Sequence, residues 1–309
     1  MLAAARDSLR ALGGERKPIA IMDSGVGGLP YLESIRRLLP GERFAYLADR
    51  AGFPYGTKDR EEIEAIVLDR IGRLVDAFDP AIVVIACNTA SQAALAAARA
   101  AHPGLSIVGT VPAVKPAAER TRTGVVGVMA TEHAIGDPYL DELVARHASG
   151  VKVVREAAQD LVAFVERDFV RSTAARRRAA VEAYVRRLVD AGADEIVLAC
   201  THFLHVAEDI GAAAEALALE AGRAARVEVI DSREGVARRV ADLLAVRTAG
   251  ASVGAEKPVD PSRSVAGLSS RPADGVFLLS GPPPFEDGYE AFAGRYGLLG
   301  PFSLEGEAG

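Results

Sequence analysis

Apolar and polar positions in this chain alternate in blocks rather than one by one. Short β-branched runs fall at 19–22, 43–47, 82–86, 106–108, 124–129, 151–154, 195–199 and 227–230. Between them lie longer stretches rich in Ala, Arg, Leu and Glu, with apolar residues recurring at helical spacing. The clearest are 29–39, 60–78, 91–101, 174–191 and 203–221. Strands that are apolar throughout, not on alternate positions, are strands buried on both faces. With helices between them they predict an α/β fold built on parallel sheets.

The two halves of the pattern repeat each other coarsely. One strand ends at Asp23-Ser24 and a later one at Cys87; another ends near Thr131-Glu132 and a later one at Cys200. Two similar α/β units would produce this recurrence. The segments "IVVIACNTAS" (82–91) and "EIVLACTH" (195–202) are the sharpest part of it. Each is an apolar run ending in Ala-Cys before small polar residues, and together they hold both cysteines of the chain. The stretch 247–274 is rich in Gly, Pro, Ser and Ala without periodicity and reads as a long surface loop or linker. A short strand at 276–280 and a helix at 285–296 are expected after it.

Composition narrows the function classes. The chain has 309 residues, enough for two domains, and half of them are hydrophobic. Its net charge of −6 gives no electrostatic reason to expect a nucleic-acid partner. The run Arg176-Arg177-Arg178 is too short for a basic tract and is expected to solvate one helix face. Arg6, Asp7 and Arg10 interrupt the N-terminus, which therefore lacks the apolar centre of a secretory signal. The apolar runs fall far short of the roughly 20 residues needed to span a bilayer. Two cysteines without an export signal point to free thiols in a reducing cytoplasm.

In open α/β sheets ligands bind beyond the carboxyl ends of the strands. Asp23-Ser24, Tyr55-Gly56, Cys87-Asn88-Thr89, the Thr131 region and Cys200-Thr201-His202 all fall at such ends or the loops beside them. A helix N-terminus favours thiolate over thiol and welcomes a carboxylate. Two cysteines on opposite sides of a small acid suggest inversion of a carbon centre: one removes a proton from one face while the other delivers a proton to the second. A thiol reference pKa of about 8.5 lets both protonation states exist near neutrality. Asp23 and His202 are placed to assist the neighbouring cysteine.

Other chemistries fit less well. Gly25, Gly27 and Gly28 invite a dinucleotide fingerprint, but Pro30 stands where its third glycine belongs. Cys200, His202 and His205 suggest a metal, with Cys87 as the obvious fourth soft ligand. Either cysteine alone reads equally as a small buried hydrophobe, Asp23 as a helix cap, Tyr55 as a loop aromatic over the core, and Glu166 as a solvated helix charge. His205 reads as a helix-surface or packing residue, and His102, His133 and His147 carry no motif.

The motifs "IMDSGVGG", "FPYGTK", "ACNTAS" and "LACTHF", in this order, resemble those of glutamate racemases in the aspartate/glutamate racemase superfamily. The likeness runs from about residue 19 to 240, and "VFLLSG" with the helix after it resembles the family's ending. It implies two doubly wound α/β domains related by pseudo-twofold symmetry: 17–112 with 226–309, and 113–225, with the active site in the cleft between them. It also implies cofactor-independent and metal-free interconversion of L- and D-glutamate, supplying D-glutamate for peptidoglycan. By the family pattern Cys87 works on the D-isomer side, supported by Asp23, and Cys200 on the L-isomer side, supported by His202. Ser24, Tyr55, Gly56, Asn88, Thr89 and Thr201 match substrate-holding positions, and Glu166 matches a carboxylate near the second cysteine.

The likeness has departures. Gln159-Asp160 stands where the family often has Cys-Pro. "ATEHAIGDPY" replaces a Thr- and Ser-rich loop around Thr131, and "THFLH" replaces Thr-His-aromatic-Pro. Alternatives left open are a racemase of aspartate or of a hydantoin, and a noncatalytic carboxylate- or metal-binding regulator. The expected partner is a small-molecule substrate, with no nucleic acid and no membrane, and a homodimer is among the assembly states the sequence allows.

Overall fold

The computed structural model describes residues 1–13, 16–222, 226–249 and 272–305. The strands are β1 (Ile19–Asp23), β2 (Phe44–Ala48), β3 (Ile82–Ile85), β4 (Ser106–Gly109), β5 (Val125–Ala130), β6 (Lys152–Ala157), β7 (Glu195–Leu198), β8 (Glu228–Ile230), β9 (Gly275–Leu279) and β10 (Leu298–Ser303). The helices before the chain midpoint are α1 (Leu2–Ala11), α2 (Leu29–Leu38), α3 (Arg60–Phe78), α4 (Asn88–Ala101), α5 (Val114–Arg120), α6 (Glu132–Gly136) and α7 (Pro138–His147). Those after it are α8 (Gln159–Arg167), α9 (Ala174–Asp190), α10 (Ala207–Glu220), α11 (Arg233–Ala249) and α12 (Asp287–Arg295).

These elements form two compact units, residues 1–110 with 233–309, and residues 111–232. The first holds a six-stranded sheet in the order β10-β9-β2-β1-β3-β4, and the second a four-stranded sheet in the order β6-β5-β7-β8. Every pairing in both sheets is parallel. The run β2-β1-β3-β4 of the first sheet and the whole of the second have the same order when strands are counted from the start of each unit. That shared order accounts for the recurrence in the sequence: β3 and β7, the strands that lead into the two cysteines, are equivalent.

Both faces of the first sheet are covered. Ala20, Met22, Ala45, Leu47, Val83 and Ile85 pack into one apolar cluster with residues of α1, α3 and α4. The alternate positions Ile19, Ile21, Tyr46 and Val84 are equally buried on the other face, where α2 and α11 lie together. In the second unit Val126, Val128, Val197 and Ile230 cluster with Ala113, Val114 and Leu140. Caps set several helix starts: Asp59 accepts from the Glu62 N–H at 2.8 Å ahead of α3, and Thr173 from Arg176 ahead of α9.

Several expectations need correction. The helix expected over 203–221 begins only at Ala207, because Thr201–Val206 form a tighter 3-10 turn. The first residues of the expected loop at 247–274 belong instead to α11, which runs on to Ala249, and 250–271 lie outside the described residues. Arg177 does not simply solvate its helix face: it is part-buried and paired with Asp209 at 2.9 Å. The N-terminal stretch is helix α1, seated through Ala5 and Leu9. Strand β10 lacks an apolar-run signature because Gly300-Pro301 interrupts it, and its register against β9 shifts between Leu299 and Phe302.

At the amino end of β7 a carboxylate is buried at a cost. Glu195 is 5% exposed and sits in register with Glu228 of β8. Burial first, then the Glu228 charge, push its carboxyl up to about 7. A carboxyl pKa raised on folding lowers stability as pH climbs from the unfolded value, about 4.3, through the folded one. We expect the wild type to lose urea resistance between pH 5 and pH 8, and Glu195→Gln to recover about 1–2 kcal/mol of that loss at pH 8 while changing little at pH 5. Urea midpoints for both proteins at the two pH values measure this.

Candidate active site

In the first unit the polar groups gather where β1, β2 and β3 end. Asp23, the last residue of β1, is fully buried, and its Oδ2 accepts from the Gly28 N–H at 2.8 Å. Gly28 is the N-cap of α2. A Cβ there would lie 2.8 Å from Ala86 Cβ, 3.0 Å from the Tyr46 hydroxyl and 3.1 Å from Asp23 Cβ. Only glycine lets α2 approach the strands this closely. Asp23 thus binds the N–H of the residue that opens α2, without capping the helix's own first N–H groups, and remains at the strand end.

Cys87 is the N-cap residue of α4 and is 6% exposed. Its Sγ lies 3.8 Å from Ser24 Oγ. Asn88 and Thr89 follow in the first turn of α4, both buried. Ser91 anchors that turn by donating to the Ile85 carbonyl at 3.1 Å, and its hydroxyl accepts from the Thr110 N–H at 2.9 Å. Tyr55 and Gly56 open the turn Tyr55–Thr57. Tyr55 is 2% exposed, packed in the same apolar cluster as Cys87. The structure thus brings Asp23, Ser24, Tyr55, Cys87, Asn88 and Thr89 to one end of one sheet.

Sequence reasoning passed over Asp49, which follows β2 and is fully buried, accepting from the Tyr55 hydroxyl at 2.7 Å and from Arg70 Nε at 2.8 Å. A signal for it existed: an acid immediately after a wholly apolar strand, at the level where Asp23 ends the neighbouring one.

The second unit builds a different surround for its thiol. Cys200 follows β7 and is 8% exposed. Its Sγ is 3.9 Å from His202 Nδ1, and His202 Nε2 donates to Glu166 Oε1 at 2.7 Å. The 3-10 turn supplies Thr201 and His202, and α8 supplies Glu166. Glu166 is no solvated charge: its side chain is 7% exposed and that of His202 3%. Burial opposes the imidazolium, but hydrogen bonds to Cys200 and Glu166 and their charge outweigh it and hold His202 well above the ordinary histidine value. Carboxylate, imidazole and thiol form a chain along which a proton can pass to or from sulfur.

Thr131 caps α6, accepting from the Ala134 N–H at 3.2 Å. His205 packs its ring against Phe169, with centroids 5.1 Å apart. Among the described residues no group of three or more His, Cys, Asp or Glu is arranged to hold a metal ion, and no helix is long and apolar enough to cross a membrane. Both cysteines are free thiols.

Parallel α/β units that present a thiol at the end of a central strand define a class of site. The comparison with known proteins names it: the family model described as Asp/Glu/Hydantoin racemase matches residues 19–240, and the chain belongs to that family of isomerases. A glutamate racemase from Roseiflexus sp. is 42% identical over 231 residues, 75% of this chain and 80% of that protein. One from Sphingopyxis alaskensis is 46% identical over 235 residues, 73% and 81% of the two chains. Among solved structures, Escherichia coli glutamate racemase in complex with L-glutamate and the activator UDP-MurNAc-ala superposes with a TM-score of 0.71. It is 28% identical, and the match covers 91% of this chain and 96% of that one.

The His202–Glu166 pair yields a direct test. In Glu166→Gln the imidazolium loses a charged acceptor, so the His202 pKa should fall by roughly one pH unit or more. Histidine NMR titration, with the His202 signal assigned through a His202→Asn variant, measures this. An unchanged midpoint would mean that Glu166 does not hold the proton there.

Proposed function

We propose that this protein interconverts L- and D-glutamate without a cofactor, using Cys87 and Cys200 as paired acid and base. The observation that carries the reading is the placement of the chain's two thiols. Each follows an equivalent strand in a unit of the same strand order, and each has its own polar support. The 42% and 46% identity to proteins named glutamate racemase supports glutamate as the substrate, as does the complex of the Escherichia coli relative with L-glutamate.

In this mechanism each of the two units contributes one thiol to the reaction. Taking D-glutamate to L-glutamate, the Cys87 thiolate removes the α-proton, and the Cys200 thiol delivers a proton to the opposite face. The reverse direction starts from the Cys200 thiolate and the Cys87 thiol. No proton is gained or lost overall, and each turnover leaves the enzyme in the state that handles the product. Asp23 supports Cys87, while His202, held by Glu166, carries a proton to or from Cys200. Ser24, Asn88, Thr89 and Thr201, with the backbone at Tyr55 and Gly56, hold the substrate. The enzyme works in the cytoplasm, its D-glutamate feeding peptidoglycan synthesis, and a homodimer is the assembly to be sought by sedimentation velocity.

Incubation of either isomer in heavy water should place deuterium at the α-carbon with inversion. Cys87→Ala and Cys200→Ala should each reduce net racemisation by at least about a thousandfold, since each direction needs both groups. Near wild-type turnover in either variant would refute the mechanism. Aspartate or a hydantoin turned over faster than glutamate would replace the substrate. Because the two thiols work in opposite protonation states, kcat/KM should fall at both low and high pH. Growth of a D-glutamate auxotroph on the cloned gene tests the supply role.

A further inference from the structure

One buried acid has no part in the mechanism above. Asp49 is 0% exposed, and each of its oxygens has a partner: Oδ2 accepts from the Tyr55 hydroxyl at 2.7 Å and Oδ1 from Arg70 Nε at 2.8 Å. Its backbone N–H donates at 2.9 Å to the carbonyl of Asp23, the acid assigned to Cys87. Arg70 comes from α3 with its side chain 13% exposed, and also reaches Asp69 at 2.6 Å and Glu305 at 3.8 Å. Glu305 in turn accepts from the Gly281 N–H at 2.7 Å. A Cβ at Gly52 would collide with Asp49 Oδ2, so the chain folds over the carboxylate with no side chain between.

A buried ion pair is a poor source of net stability compared with apolar packing of the same volume. What such a pair does well is fix direction, since the guanidinium leaves the carboxylate one orientation in which to meet the phenol. Burial and then the Asp49 charge hold the Tyr55 phenol well above its ordinary value, so it stays protonated and donates to Asp49. Its hydroxyl is committed there. The tyrosine hydroxyl therefore ties the three-residue turn Tyr55–Thr57 to the residue that follows β2.

We propose that Asp49, oriented by Arg70, is a positioning residue for this site: by accepting from the Tyr55 hydroxyl it fixes the Tyr55–Thr57 turn, and with it the part of the substrate-holding surface that Tyr55 and Gly56 supply. The proposal rests on the racemase reading above. It makes the tyrosine an anchor whose loss weakens binding without touching proton transfer.

Steady-state kinetics with both glutamate isomers across pH tests it in Tyr55→Phe, Asp49→Asn and the double variant. Each single change should raise KM about tenfold or more with kcat kept within about threefold. The double variant should be no worse than the weaker-binding single one, because both changes remove the same hydrogen bond. The pH limbs of kcat should stay where the wild type has them. Wild-type KM in Tyr55→Phe would overturn the proposal, as would fully additive losses or a displaced pH limb, which would put the phenol into proton transfer. Should Asp49→Asn fail to fold around the stranded Arg70, the KM of Tyr55→Phe decides alone. An inactive wild type would remove the racemase reading itself; an active one with an unaltered Tyr55→Phe removes only the anchor.

Discussion

A strand covered by helices on both faces has nowhere along its length to put a reactive group. In this chain β1, β2 and β3 are buried at every position, and a charged or hydrogen-bonding side chain in their middle would have to leave water for hydrocarbon. Polar chemistry is forced to the strand ends. There the ladder stops, the chain turns, and the next helix brings N–H groups that no other backbone uses. Asp23, Asp49, Cys87 and Cys200 all sit at such ends. The position of the site is thus a consequence of core packing, and the close approach at Gly28 is what lets helix and strands converge around Asp23.

Within that shared constraint the two units treat their thiols differently. Cys87 lies beside a serine hydroxyl at the mouth of a helix, with Asp23 and the Asp49–Tyr55 pair packed near it. Cys200 lies beside an imidazole whose far nitrogen is fixed by a buried carboxylate. The first surround is built from acids and hydroxyls, the second from a basic ring with a counter-charge. Equivalent strand order places the sulfurs alike; unlike neighbours give them unlike electrostatics. Such a difference suits the proposed mechanism, in which the two thiols start in opposite protonation states for each direction.

Much of this was legible in the sequence, for physical reasons. Continuous apolar runs announced β1, β2, β3, β5 and β7 because a doubly covered strand leaves no other pattern, whereas the edge strands β4, β6 and β8 are only partly buried and gave shorter runs. Asp23, Cys87 and Cys200 were readable because each ends such a run. Glu166 was not readable from its own surroundings: on an amphipathic helix a glutamate is ordinarily solvated, and only tertiary packing brings it to His202. Asp49 was hidden in the same way, its partners Tyr55 and Arg70 being supplied by a turn and a helix that follow it in sequence. Strand β10 was obscured by Gly300-Pro301, residues that normally mark a turn. Pattern reports burial well; it reports pairing between elements poorly.

The buried acids illustrate what pairing does to a carboxylate. Glu195, at the amino end of β7 and next to Glu228, has its charge disfavoured by burial and by Glu228, which together outweigh the favourable charges of Arg120 and Arg122. Asp194, its neighbour in sequence, accepts from the hydroxyls of Thr121 and Thr123 and from the N–H groups of Arg122 and Thr123, and these bonds outweigh burial and hold it below the usual carboxylate range. Two adjacent acids therefore lie on opposite sides of the normal value, one pulled down by hydrogen bonds and the other pushed up by burial and a like charge. The same arithmetic governs His202, where burial argues for a neutral ring and its hydrogen-bond partners Cys200 and Glu166 argue for a charged one. Local partners decide these cases, and a site that must pass protons needs its partners fixed more firmly than its fold requires.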